Sequence, residues 1–265
     1  MAESSFRLND KTVVLAGPYG LLLQNLTAQL AECGADVAVL TDDIKSAQRV
    51  CQNIMDMREV SEKFGRAAAI EVKLHDEKNV NASLSRAAEL FGSTDIYIDA
   101  YLFGLKVPFY GDANPGPSGS KSTIETQFHS TLEFSKTLSQ AALAFLKSRA
   151  RGRMLYLFHE LDVMMAEKVE SKVFAEFNEY IVKLAHSLVE SHTAVNALAV
   201  GVNEEYLLSR FPKTPTIQRS LQELVKVRPQ ARLVDYSDIA QVVSFLVSPV
   251  ANGLSGQVIH LNHGT

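Results

Sequence analysis

The chain contains two cysteines, Cys33 and Cys51. Two are too few for a disulfide framework, and they fit a reduced compartment as small buried hydrophobes. Basic excess is missing too. Lys and Arg number 26 against 30 Asp and Glu, a net charge of −4, which gives nucleic acid no electrostatic footprint. Apolar runs are broken by charge well short of the roughly 20 residues a membrane span needs. The segment from Met1 to Lys11 is polar, without the apolar stretch of a secretion signal. These absences exclude a membrane protein and lead us to expect a cytoplasmic one. No G-x-S-x-G nucleophile turn occurs, no Cys/His spacing suits zinc or another metal, and no repeat divides the chain. Residues 1–265 read as one domain, because a single α/β core can hold this length.

What is present is an alternation of short apolar runs and helical periodicity. Thr12 to Ala16 reads as a strand buried on both faces, and a Gly-Pro-Tyr-Gly turn follows. Leu22, Leu26, Leu30 and Cys33 then recur at helical spacing up to Gly34, a helix stop. Further strands are read at 36–40, 67–72, 95–100, 153–158, 194–199 and 257–261. Further helices are read at 79–91, 124–148, 169–191 and 237–247. Strands alternating with helices imply parallel βαβ units with right-handed crossovers. Two stretches break the rhythm. Gly111 to Thr123 is rich in Gly, Pro and Ser and reads as a surface loop. Residues 202–232 carry three prolines and many charges and read as a lid after the sixth strand.

Several segments resemble the short-chain dehydrogenase/reductase family along essentially the whole chain. Gly34 to Val39 is similar to the start of that family's second strand, and Val195 to Ala199 to its sixth. Ser237 to Leu246, Leu254 to Gln257 and Asn262 to Gly264 resemble its closing helix, strand and glycine-containing tail. The resemblance implies an α/β fold: a single Rossmann-type doubly wound parallel sheet of about seven strands, with helices on both faces.

The family's cofactor loop, T-G-x-x-x-G-x-G, uses glycines to bring backbone amides and a helix N-terminus up to a dinucleotide pyrophosphate. Here the matching positions are Ala16, Gly17, Leu21 and Leu23, with Gly20 one place before the second glycine. The leucines are expected to obstruct the phosphates. Thr41, followed by Asp42 and Asp43, stands where the family often has an acid for the ribose hydroxyls. Lys73 replaces an Asp near the adenine, and Asp99-Ala100-Tyr101-Leu102 replaces N-N-A-G. Val200-Gly201 replaces the P-G turn after the sixth strand. The reading is therefore a degenerate NAD(P) site with no cofactor expected.

Catalytic positions differ as well. The family's tyrosine and lysine fall on Glu170 and Phe174, or with a two-residue insertion on Lys168 and Lys172, its serine on His159, and its asparagine on Gln127 or Thr131. An ionised glutamate cannot donate the proton that carbonyl reduction needs. The leading expectation is a non-catalytic member of the family, a pseudoenzyme acting as a scaffold, regulator or partner of another protein. One alternative is an NAD(P)-dependent oxidoreductase with a non-standard cofactor loop. A second is a non-redox enzyme using His159 and Glu170, with Tyr101 beside them in the former active-site cleft. Tyr97, Tyr110 and Tyr156 read as packing residues. In the resembled family the helices equivalent to 124–148 and 169–191 pair across a two-fold axis, which implies a homodimer or homotetramer here.

Overall fold

The computed structural model describes residues 6–73, 76–92, 94–105, 121–146, 151–159, 169–201, 203, 215–226, 229–230 and 232–263. Seven strands form one sheet: β1 (Thr12–Ala16), β2 (Asp36–Thr41), β3 (Ala67–Glu71), β4 (Ile96–Asp99), β5 (Arg153–His159), β6 (Ala194–Val200) and β7 (Gln257–Leu261). Their order is β3-β2-β1-β4-β5-β6-β7, and every pairing is parallel. Seven helices flank it among the described residues: α1 (Leu21–Glu32), α2 (Ile44–Val60), α3 (Glu77–Phe91), α4 (Lys121–Leu146), α5 (Val169–Ser187), α6 (Pro215–Lys226) and α7 (Tyr236–Val247). The doubly wound architecture and the strands follow the sequence reading closely.

The period-2 geometry of a strand explains the two cores. Val13 and Leu15 point to one face, where Leu26, Leu30, Ile239 and Val243 of α1 and α7 cover them. Val14 and Ala16 point to the other, against Val80 and Leu84 of α3 and Leu132 of α4. Because both faces are covered, β1 is buried along its whole length, so its sequence reads as an unbroken apolar run. Gly34 ends α1's chain direction at φ +94, the left-handed region that suits glycine.

Three elements differ from the reading. The charged, strongly amphipathic stretch between β2 and β3 forms α2, with Asp43 accepting from the Ser46 amide at 3.2 Å as its cap. Helix α6 lies inside the 202–232 segment, which the proline content made look irregular. Helix α5 stops at Ser187, and the chain continues in turns where the amides of Leu188, Val189 and Ser191 reach only three residues back. Of the segment read as a loop, residues 111–120 lie outside the described residues, while Lys121 to Thr123 belong to α4. Among the described residues no helix is long and apolar enough to cross a membrane.

Candidate active site

The strand order reverses at β1: β2 lies on one side and β4 on the other. Crevices at the C-terminal edge of such a switch point are where doubly wound sheets bind ligands. The turn after β1 and the turn after β4 interlock there. A Cβ on Gly17 would lie 3.0 Å from Ala100 Cβ and 3.1 Å from Leu23 Cδ1, and a Cβ on Gly104 would overlap the Pro18 ring. Glycine at 17 thus lets the first turn settle onto the end of β4.

The next glycine faces outward. Gly20 precedes α1 in an extended backbone, without a side-chain cap and without an acid in the first turn. A Cβ at Gly20 would meet nothing within 4 Å. The first-turn amides of α1 therefore keep the partial positive charge of a helix N-terminus. Of the two leucines expected to block this place, Leu23 does not reach it. Leu23 is 1% exposed and packs inward with Leu15 and Leu26, and Leu21 is 49% exposed at the helix start. Helical geometry decides this: residues two apart point about 200° apart around the axis, so Leu21 and Leu23 do not share a face.

Around this turn the other expected positions take distinct roles. Thr41 is fully buried, with its hydroxyl 3.4 Å from Asp42 Oδ1. Asp42 is exposed beyond the end of β2. Asp43 is used as the α2 cap, and the bond from Ser46 holds its pKa below the ordinary carboxylate value. Lys73 is exposed, and its amide donates to Asn79 Oδ1 at 2.5 Å. Gly201 makes the close approach the family's turn requires, since a Cβ there would sit 2.8 Å from Asn262 Cα.

Asp99 is 1% exposed. Tyr97 Oη donates to its Oδ2 at 2.8 Å and Ser135 Oγ to the same oxygen at 2.7 Å, while the Tyr101 amide donates to Oδ1 at 2.9 Å. Burial raises its pKa, and the three donors pull in the opposite direction. Tyr101 is also buried, edge-on to Phe134 with ring centroids 4.9 Å apart. Its pKa is raised by burial first, then by the charges of Asp99 and Asp42. Ser135, which the sequence reading missed, belongs to this cluster. A serine in a helix carries no signal of what it faces 36 residues away.

His159 ends β5, 3% exposed, with its ring 3.9 Å from that of Phe103. That stack joins the β4 turn to the end of β5. Glu170 and Phe174 fall on the first turns of α5, but their side chains lie outside the described residues. His129 faces away from this group: it is 48% exposed and 3.8 Å from Glu176. Gln127 is exposed and Thr131 half-buried. Phe177 packs against Phe158 at 4.9 Å within the core. Tyr97 and Tyr156 are fully buried packing residues, as read. Tyr110 lies outside the described residues. Among the described residues no cluster of His, Cys, Asp and Glu suits a metal.

A seven-stranded parallel sheet with helices on both faces defines a doubly wound, Rossmann-type α/β domain. The family model described as enoyl-(acyl carrier protein) reductase matches residues 24–265. The chain belongs to this family, within the short-chain dehydrogenases/reductases. It is 23% identical over 266 residues to the 7alpha-hydroxysteroid dehydrogenase of Escherichia coli (strain K12), covering 99% of this chain and 96% of that protein. It is 24% identical over 265 residues to a 3-oxoacyl-(acyl-carrier-protein) reductase of Staphylococcus aureus (strain Mu50), covering 96% of this chain and 97% of that protein. Its fold is similar to a solved 7 alpha-hydroxysteroid dehydrogenase complexed with NADH and 7-oxo glycochenodeoxycholic acid. That match has a TM-score of 0.78 at 22% identity, over 100% of this chain and 97% of the other.

Two expectations are corrected by these findings. The chain was expected to be a non-catalytic scaffold without a cofactor. The family it belongs to is one of reductases, and its full-length relatives are dehydrogenases and reductases, one of them solved with NADH. Leu23, one of the two leucines expected to obstruct the phosphates, turns inward instead.

Proposed function

We propose that the protein is an NAD(P)-dependent oxidoreductase of the short-chain dehydrogenase/reductase family, a divergent member with a non-standard cofactor loop. The observation that carries this reading is the uncapped N-terminus of α1 beside Gly20, where a Cβ would meet nothing within 4 Å. Backbone amides of the first turn of α1 would hold the pyrophosphate, with Gly17 keeping the loop close to β4. Asp42, an exposed carboxylate at the end of β2, would accept from the ribose hydroxyls. A carboxylate there repels a ribose phosphate, so we assign NAD(H) over NADP(H). Lys73 stands at the adenine end. When bound, the nicotinamide supplies the hydride acceptor or donor.

Proton handling cannot follow the family's tyrosine, because that position is Glu170. We assign it to His159, which ends β5 where the family has its serine and whose imidazole is the kind of group that takes up and gives back a proton. Phe103, stacked on its ring, then forms an apolar wall beside it. The substrate class is a secondary alcohol or its ketone, in keeping with the hydroxysteroid dehydrogenase and 3-oxoacyl reductase among the relatives.

We also assign a homo-oligomer built through α4 and α5. The half-buried Leu143 and Phe145 of α4 and Leu184 of α5 lie at the edge of the core and support it. A cytoplasmic location is supported by Cys33 and Cys51, both buried and outside any disulfide.

Calorimetric titration with NADH and NADPH tests the reading. Saturable micromolar binding of NADH, weaker for NADPH, is expected; no binding of either at millimolar concentration overturns it. His159→Asn should then abolish turnover of an alcohol panel while leaving NADH binding intact.

A further inference from the structure

The opposite edge of the sheet, at the N-terminal ends of β5 and β6, carries a cavity of about 550 Å³ that the cofactor reading does not use. Arg153, the first residue of β5, lines it and is only 8% exposed. Its Nη2 donates to Asn252 Oδ1, but its Nη1 is buried with no hydrogen-bond partner among the described residues. A buried guanidinium N–H left unmatched costs free energy until an acceptor meets it. Burial alone pulls the Arg153 pKa down, with no anion among the causes.

The rest of the lining makes this an anion's environment. Arg151 adds a second cation, and no acidic side chain lines the cavity among the described residues. Ser255 Oγ accepts from the Val195 amide at 3.3 Å, which leaves its own proton to donate. The facing wall, from the turn after α5, is apolar: Leu188 is buried and Val189 is 64% exposed. A bare inorganic anion would gain nothing from that wall, whereas an alkyl group would.

We propose that this edge is a second small-molecule site, taking a monocarboxylate on a short apolar body, with its carboxylate on Arg153 and Arg151 and its body on Leu188 and Val189. The site is separate from the cofactor crevice and stands whether or not NADH binds there.

Octanoate is the probe, titrated calorimetrically into the full chain, with acetate and inorganic phosphate as comparisons. Saturable one-to-one binding of octanoate is expected, about tenfold or more tighter than acetate or phosphate. Arg151→Ala should weaken it about tenfold, and Arg153→Met should abolish it. Should the buried Arg153→Met variant fail to fold, Val189→Asp on the exposed wall replaces it; octanoate binding should be lost at unchanged melting temperature. NADH affinity should be the same in every folded variant. Failure of octanoate to bind, phosphate binding as tightly as octanoate, or octanoate binding that survives both Arg151→Ala and Val189→Asp overturns the proposal.

Discussion

Asp99 has both carboxylate oxygens engaged, yet its burial still raises its pKa. A carboxyl whose pKa rises on folding stabilises the fold fully below its unfolded value, near 4, and loses that contribution as pH rises through the folded value. Asp99→Asn keeps an acceptor for the Tyr101 amide and offers a donor to the Ser135 hydroxyl. Wild-type stability should therefore fall relative to Asp99→Asn as pH rises above about 4, in urea unfolding at stepped pH. A constant gap would contradict this. Gly201 is decided by backbone approach: a Cβ there would lie 2.8 Å from both Asn262 Cα and Cβ. Gly201→Ala should cost about 1–3 kcal/mol in the same assay, the usual price of overpacking. The glycine itself was visible in the sequence as the second half of the family's turn. Its partner was not, because residues 201 and 262 meet only once β6 and β7 pair.

Helix α1 begins without a cap, so its first turn is open to an acid. Gly20→Asp would place a carboxylate on the amides that we assign to the pyrophosphate. Its extended backbone and empty surroundings admit the side chain without strain. The apo protein should gain a few tenths of a kcal/mol, and NADH should bind about tenfold more weakly. Thermal melts and calorimetry read the two effects separately; unchanged NADH affinity would remove α1 from the site. Helix α7 starts differently, with a capping box between Asp235 and Asp238. Arg232 Nη1 and Nη2 lie 2.6 and 2.7 Å from the Asp238 carboxylate, and His263 Nε2 is 3.2 Å from it. Arg232, then the Asp235 amide and His263, hold the Asp238 pKa below its ordinary value against partial burial. A depressed carboxyl stabilises above its unfolded pKa and loses that contribution as pH falls. The advantage of wild type over Asp238→Asn should therefore vanish on acidification below about pH 4. The start of α7 was legible as Asp-x-x-Asp before an apolar run. Helix α2 was harder to see because its polar residues outnumber the three buried ones, Ala47, Cys51 and Ile54.

For the molecule as a whole, the two cores on either face of one sheet leave the edges and outer helices to make further contacts. Light scattering should give a multiple of the 29.1 kDa chain mass, and Leu184→Glu on α5 should shift it towards the monomer. A monomer at all concentrations would remove the helix pairing. The parallel sheet and its covered faces follow from the sequence by itself, because unbroken apolar runs alternating with 3.6-period helices admit few arrangements other than a covered parallel sheet. Residue identities at the family's positions were equally plain. Only the tertiary structure decided where those side chains point. Leu23 turned inward beneath Gly17, Gly20 faced open space, and Arg153 was buried at the far edge without a partner for Nη1 among the described residues. Direction is set by helix phase and by neighbours distant in the chain, and a linear sequence holds neither until the elements pack.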